Sequence, residues 1–325
     1  MKKLVSFAVA GMFALSLAAC GSSSSAAASI TESSAESTAA STADGAAADS
    51  DLAYLQNKGK MTIGYTVYEP MNYTDESGTF TGFDTELATA VCEKLGVEPD
   101  FVEINWDTKE TELAAKSIDC IWNGMTLTDD IQANTACTKA YAKNAQVVVM
   151  KADADYSSTA DLVGKTVVAE AGSAGEEVAG ENGFKTVSVD SQAKALMEVQ
   201  AGTADAAIID SLMAGAMVGE GTSYPNLTIT DQKLTEELYG VGCRKGSDLA
   251  SFINSVMADA YADGVLEATA ETYGVQAALV EQPASEFTAS ESDSDVQYIK
   301  DKGTLVIGIT EFEPMDYQDA DGNWI

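Results

Sequence analysis

Residues 60–96 read KMTIGYTVYEPMNYTDESGTFTGFDTELATAVCEKLG, and the two ends of this stretch decide the fold class. Its first seven residues are apolar and β-favouring, as in a buried strand. Its last fifteen place Phe83, Leu87, Val91 and Leu95 on one helical face, with Asp84 as the expected N-cap and Gly96 as the stop. PDFVEI (99–104), TKETELAAKS (108–117) and IDCIWNG (118–124) continue as strand, helix and strand. Alternation of this kind predicts an α/β layer with helices packed on a mostly parallel sheet.

The pattern starts afresh after AQVVVMK (145–151). TADLVGKTVVAEAG, NGFKTVSVD, QAKALMEVQAGTADAAIID and PNLTITDQK supply a second βαβαβ set between about 152 and 232. LYGVGCRKGS (238–247) reads as a return strand, and residues 248–274 as closing helices. The expectation is two lobes with two crossings: lobe 1 from 51–148 and 236–275, lobe 2 from 149–235, then a linker at 276–294. Some 225 residues suffice for two such cores.

Outside this body the composition changes. Lys2 and Lys3 precede an apolar run, LVSFAVAGMFALSL, and then Leu17-Ala18-Ala19-Cys20. That is the pattern of a secretory signal peptide over residues 1–20, too short to span a bilayer. Leu-Ala-Ala-Cys also resembles the bacterial lipoprotein signal, in which Cys20 becomes the lipidated N-terminus. Residues 21–50 are nearly all Ser, Ala, Thr, Gly, Glu and Asp, the composition of a disordered tether. At the other end, residues 295–325 align without gaps on 51–81, with 13 of 31 positions identical. This internal duplication reads as the start of a truncated second domain, with Phe312 in the place of Tyr68.

The chain has 18 Lys+Arg against 51 Asp+Glu, a formal charge of −33, and no histidine. A nucleic-acid partner is not expected, since phosphate binding requires basic groups. Imidazole metal sites and Ser-His or Cys-His catalysis are excluded. Cys92, Cys120, Cys137 and Cys243 form no Cys-x-x-Cys pair, so no metal site is expected. Buried thiols are one reading of them, and a Cys120–Cys137 disulfide is another. No cofactor motif is present: Gly164-Lys165-Thr166 lacks the upstream glycine of a phosphate loop and leads into a strand, not a helix.

Candidate ligand contacts cluster at expected strand ends. AGSAGEEVAG begins at Ala171; its Gly172 and Ser173 form either a tight strand-to-helix turn or an anion-binding turn. NGMTLTDD (123–130) contains Asn123, Gly124, Thr126 and Thr128, suited to capping a helix or binding a carboxylate. Asp210 ends ADAAIID, where ligands of open α/β sheets bind; the alternative is an N-cap for SLMAGAM. Tyr68, Tyr73, Trp106 and Trp122 flank the lobe 1 strand ends, as ligand walls or as core.

TVYEPMNYTDESGTFTGFDTELATAVCEKLG, AKSIDCIWNGMTLTDD and DLVGKTVVAEAGSAGEEV together resemble the family 3 solute-binding proteins of bacterial ABC importers, over residues 51 to about 275. The resemblance implies a two-lobe, periplasmic-binding-protein-like (type II) fold with hinge strands, closing on an amino acid or similar polar solute. It implies delivery to an ABC permease and a lipid-anchored place on the extracytoplasmic membrane face. Within it Tyr68 matches a stacking aromatic and Trp106 a side-chain wall. Gly124 and Thr126 match α-carboxylate contacts, as do Gly172 and Ser173 from lobe 2, while Asp210 matches the α-ammonium acid. One position departs: the family's carboxylate-clamping arginine falls at Ile131. Arg244, the single arginine, is expected near the surface, which leaves either backbone amides, Thr126 or a lysine such as Lys139 or Lys143 for a carboxylate, or a ligand that is not a plain α-amino acid. Two alternatives carry other functions on the same scaffold: a ligand sensor, or an enzyme such as a dehydratase, for which no catalytic pairing is visible.

Overall fold

The structure, a computed structural model, describes residues 51–287 together with 299, 302, 304, 306 and 307. The expected signal peptide, Cys20, the tether and most of the repeated segment lie outside the described residues.

Helix α1 (Asp51–Lys58) leads into β1 (Lys60–Tyr65), whose residues after Lys60 are all buried. A strand with both faces covered by helices is largely apolar; in MTIGY the buried Thr62 hydroxyl accepts from Lys58 Nζ at 3.1 Å. A small hairpin, β2 (Tyr73–Thr74) and β3 (Phe80–Thr81), precedes α2 (Phe83–Leu95). Gly82, not Asp84, stands at the N-cap of α2. Its φ is +128°, and a Cβ there would lie 2.1 Å from the Met71 carbonyl oxygen, so only glycine fits the turn. Asp84 falls in the first helical turn and is fully buried. Gly96 ends α2 in the left-handed conformation, its N–H on the Cys92 and Glu93 carbonyls.

From there β4 (Glu98–Glu103), α3 (Lys109–Ala114), β5 (Cys120–Thr126), α4 (Asp129–Asn134), β6 (Ala136–Cys137) and β7 (Ala142–Asn144) follow. In lobe 1, β4 and β5 flank β1 in parallel, while β13 (Glu237–Cys243) returns antiparallel beside β5 and carries β6 and β7. The dipeptide β14 (Val306–Ile307) pairs in parallel with β4, Ile307 opposite Phe101.

Lobe 2 runs through β8 (Gln146–Lys151), β9 (Thr166–Glu170), α5 (Ala174–Glu181), β10 (Lys185–Val189), α6 (Gln192–Ala201), β11 (Ala206–Asp210), α7 (Ser211–Met217) and β12 (Leu227–Lys233). Its five strands lie in the order β10-β9-β11-β8-β12, with β9 parallel to both neighbours and β8 antiparallel to both of its own. Helices α8 (Leu249–Ala262) and α9 (Val265–Thr272) return to pack on α2.

The chain changes sheets twice: at Ala145, between β7 and β8, and between Lys233 and Glu237. The first crossing falls slightly before the expected joint near 149. Val147, Val148 and Val149, read from sequence as straddling the boundary, are all buried in lobe 2 strand β8. The two crossings touch, because Asn144 pairs with Glu237.

Candidate functional site

A cavity of about 180 Å³ opens between the lobes at the carboxyl ends of their strands. That is below the lower end, roughly 300 Å³, of pockets for drug-sized ligands, so its occupant is small. Lobe 1 supplies Trp106, Lys109, the end of β5 from Asn123 to Thr126, Thr128 and Ile131. Lobe 2 supplies Gln146, Glu170, the Gly172–Ala174 turn, Gln192 and Asp210. The lobes meet at its edge: Lys109 Nζ donates to the Gly172 carbonyl at 2.9 Å, and a Cβ on Gly172 would stand 2.6 Å from Asp107 Cα.

Asp210 sits at the N-cap position of α7 without making a side-chain cap hydrogen bond. Its carboxylate instead accepts from Asn144 Nδ2 at 2.5 Å, Gln146 Nε2 at 2.7 Å and Gln192 Nε2. These donors are neutral. Burial, with Glu237 close by, therefore pushes its pKa up to about 7 against the pull of those amides.

Glu170 ends the neighbouring parallel strand β9 and is 1% exposed. Its Oε1 has no hydrogen-bond partner. Burial first, and the Asp210 charge second, raise its pKa well above the usual carboxylate range, with Lys109, Gln192 and Thr66 opposing. Glu170 escaped the sequence reading, although VVAE ends on an acid as AAIID does. Both place a carboxylate where a parallel strand stops.

Trp106 lines the cavity as expected, and Lys109 lies over its ring at 4.9 Å. Lys109 also donates to the Trp106 carbonyl at 3.2 Å. It is the one lysine lining the cavity, a place the sequence reading had offered to Lys139 or Lys143; neither of those lines it. Ile131 does line it, 5% exposed, presenting an apolar side chain where the resemblance calls for arginine.

Several expected contacts have other partners. Gly124, at φ +54°, gives its N–H to Asp84 Oδ2 at 2.7 Å. Gly172 gives its N–H to Glu176 Oε2 at 2.8 Å. Ser173 caps α5, accepting from Glu176 N, and Thr128 caps α4, accepting from Ile131 N. Thr126 donates to Glu237 at 3.1 Å. The Asn123 amide is engaged with Thr66 and Asn72, so it braces the end of β1 and contributes only its lining surface to the cavity. Tyr68 lies behind Gly124, fully buried, its hydroxyl 2.8 Å from that of Tyr239. Trp122 is core.

One reading is corrected and one open alternative is resolved. Arg244 is buried: its guanidinium donates to the Ile118 carbonyl at 2.7 Å and to Asp119 Oδ1 at 3.2 Å. Cys120 and Cys137 are free thiols, as are Cys92 and Cys243. No group of carboxylates or cysteines that could hold a metal occurs among the described residues.

Two α/β lobes joined by paired crossing strands, with a small polar cavity at facing strand ends, define a type II periplasmic binding protein. The chain belongs to the bacterial extracellular solute-binding proteins, family 3, whose model matches residues 61–276. It is 29% identical over 272 residues to the arginine-binding extracellular protein ArtP of Bacillus subtilis (strain 168), covering 82% of this chain and 96% of that one. A mutant of ArgBP from T. maritima superposes with a TM-score of 0.65 at 33% identity, over 69% of this chain and 99% of that one. An ABC uptake transporter substrate-binding protein from Streptococcus pneumoniae with bound histidine gives 0.64 at 31%, over 69% and 96%.

Proposed function

We propose that this protein is the extracytoplasmic solute-binding component of an ABC importer, held to the membrane through a lipid on Cys20. It captures an amino acid or a related small polar solute between its lobes and presents the closed form to a permease. The carrying observation is that the cavity is assembled from both lobes, with Trp106 and Ile131 on one side and Glu170 and Asp210 on the other. A solute touching both sides binds the closed arrangement better than the open one, and that difference drives closure. The amino-acid ligands named for the related proteins support the same class of solute. The reading includes no catalytic step.

Within it, Asp210 holds a cationic nitrogen, Trp106 walls the solute, and the end of β5 and the Gly172–Ser173 turn shape the two rims. The test is a thermal-shift screen of the purified protein against amino acids and small amines, followed by calorimetry. A ligand at 100 times its Kd stabilises by about 2.7 kcal/mol, a clear rise in Tm. No shift with any of them sinks the proposal. For the anchor, Cys20→Ala should move the protein from the membrane fraction to the medium; retention on the membrane would exclude a lipid at that position.

A further inference from the structure

The two walls of the cavity are chemically lopsided. Glu170 and Asp210 end adjacent parallel strands, both are at least nine-tenths buried, and Glu170 Oε1 is unpartnered. Among the described residues no lysine or arginine nitrogen comes within 4.0 Å of either carboxylate. A buried ionised carboxylate without a counter-charge is strongly disfavoured, so in the empty cavity each acid is drawn toward its protonated form, and a cation arriving from solution would allow both to ionise.

The groups that would receive a carboxylate are otherwise engaged. Ile131 brings a hydrocarbon side chain, the Gly124 N–H is held by Asp84, and the Gly172 N–H is held by Glu176. The Lys109 ammonium is tied to two carbonyls, those of Trp106 and Gly172. Glu110, Asp130 and Glu177 add further negative charge to the lining. An entering carboxylate would therefore meet acids and few available donors.

From this we infer that the cavity selects a small organic cation, an alkylamine or guanidine without an α-carboxylate, whose charged nitrogen lies between Glu170 and Asp210. The inference rests on the solute-binding reading and names its substrate class. Ile131 then packs on the hydrocarbon part of the ligand, where an arginine would instead repel the cation. Both acids ionise fully once the cation arrives, so binding expels protons.

Matched pairs that differ only by the carboxylate test this: agmatine against arginine, and 1,4-diaminobutane against ornithine, by calorimetry on the purified protein. The decarboxylated member of at least one pair is expected to bind ten-fold or more tightly than its partner. Its measured heat should vary with the ionisation enthalpy of the buffer, because protons are released. Glu170→Gln should lose ten-fold or more in affinity for the preferred amine while the ligand-free Tm holds or rises. In both pairs the amino acid binding as tightly as its decarboxylated partner or tighter, or Glu170→Gln leaving the affinity of the preferred amine unchanged, overturns the inference. Binding of a neutral or anionic solute with none of these four also overturns it, yet leaves the solute-binding reading standing. Silence across the whole panel sinks both.

Discussion

The two ends of β5 treat buried acid in opposite ways. Asp119, just before the strand, is fully buried and surrounded by donors: Lys58 Nζ at 2.5 Å, Arg244 Nη2 at 3.2 Å and the Thr62 N–H at 2.8 Å. At the far end, roughly 20 Å along a strand of this length, Glu170 and Asp210 face the cleft with neutral amides and, among the described residues, no lysine or arginine nitrogen within 4.0 Å. Burial is nearly equal at both ends, so burial alone does not mark a site. What differs is whether the chain itself supplies the opposite charge. Its single arginine stabilises the closed end of lobe 1, and the open end waits for a charge from solution.

The largest effect should come from breaking the paired end. Arg244→Ala removes one of the three cations within 4.0 Å of Asp119, the others being Lys58 and Lys302, and opens at least two hydrogen bonds. Removing one partner of a buried ion pair costs about 3–5 kcal/mol. Urea unfolding should show that loss, while solute affinity of the folded fraction stays the same. A loss below about 1 kcal/mol would mean that Arg244 does not carry the buried Asp119 charge, and an equal loss of affinity would mean that the two ends of β5 are not independent.

Next in size is a change that makes the open end resemble the family pattern. Ile131→Arg brings a guanidinium to the lobe 1 wall. Hydrogen bonds to a charged group contribute about 1.5–3 kcal/mol, so α-amino acids should gain affinity by that amount and carboxylate-free amines should lose it. Calorimetry with arginine and agmatine on the variant reads both. If neither affinity moves, position 131 does not face the bound solute.

How far the sequence carried the reading follows from the range of the forces involved. The βα order, the two sheets and the strand-end place of Asp210 are legible, because periodicity and strand ends are local properties; Ile131 is placed at the cavity only by the family resemblance. Asp84 was legible as a helix-start acid but not in its role, since Gly124 and Tyr141, its partners, lie far along the chain. Arg244 is expected at the surface because CRKG is a polar tetrapeptide; the pocket that buries it comes from Ile118 and Asp119, in the segment just before β5. Nothing in the sequence singles out Lys109, because one of its two carbonyl partners, that of Gly172, comes from the other lobe. Glu170 was hidden by its apolar neighbours in TVVAE, although that contrast was itself the available signal.

A change in slope, not in absolute stability, separates a scaffold acid from a site acid by pH. Asp84 Oδ2 accepts from the Gly124 N–H at 2.7 Å and the Tyr141 hydroxyl at 2.8 Å, yet burial still lifts its pKa to about 7. In the unfolded chain an aspartate titrates near 4, at about 3.9. Between those values the folded state holds a proton that the unfolded state has released. Its contribution therefore falls as pH rises from about 4 to about 7, by at most about 1.4 kcal/mol per pH unit. Asp84→Asn removes that titration whatever it does to absolute stability, so its unfolding free energy should depend less steeply on pH over this window. Asp210 titrates in the same range but reports through ligand: cation affinity should fall as pH drops below about 7 in both proteins. Equal pH slopes of stability for wild type and Asp84→Asn would show that Asp84 is already ionised in the fold, and that the closed and open acids differ less than their surroundings indicate.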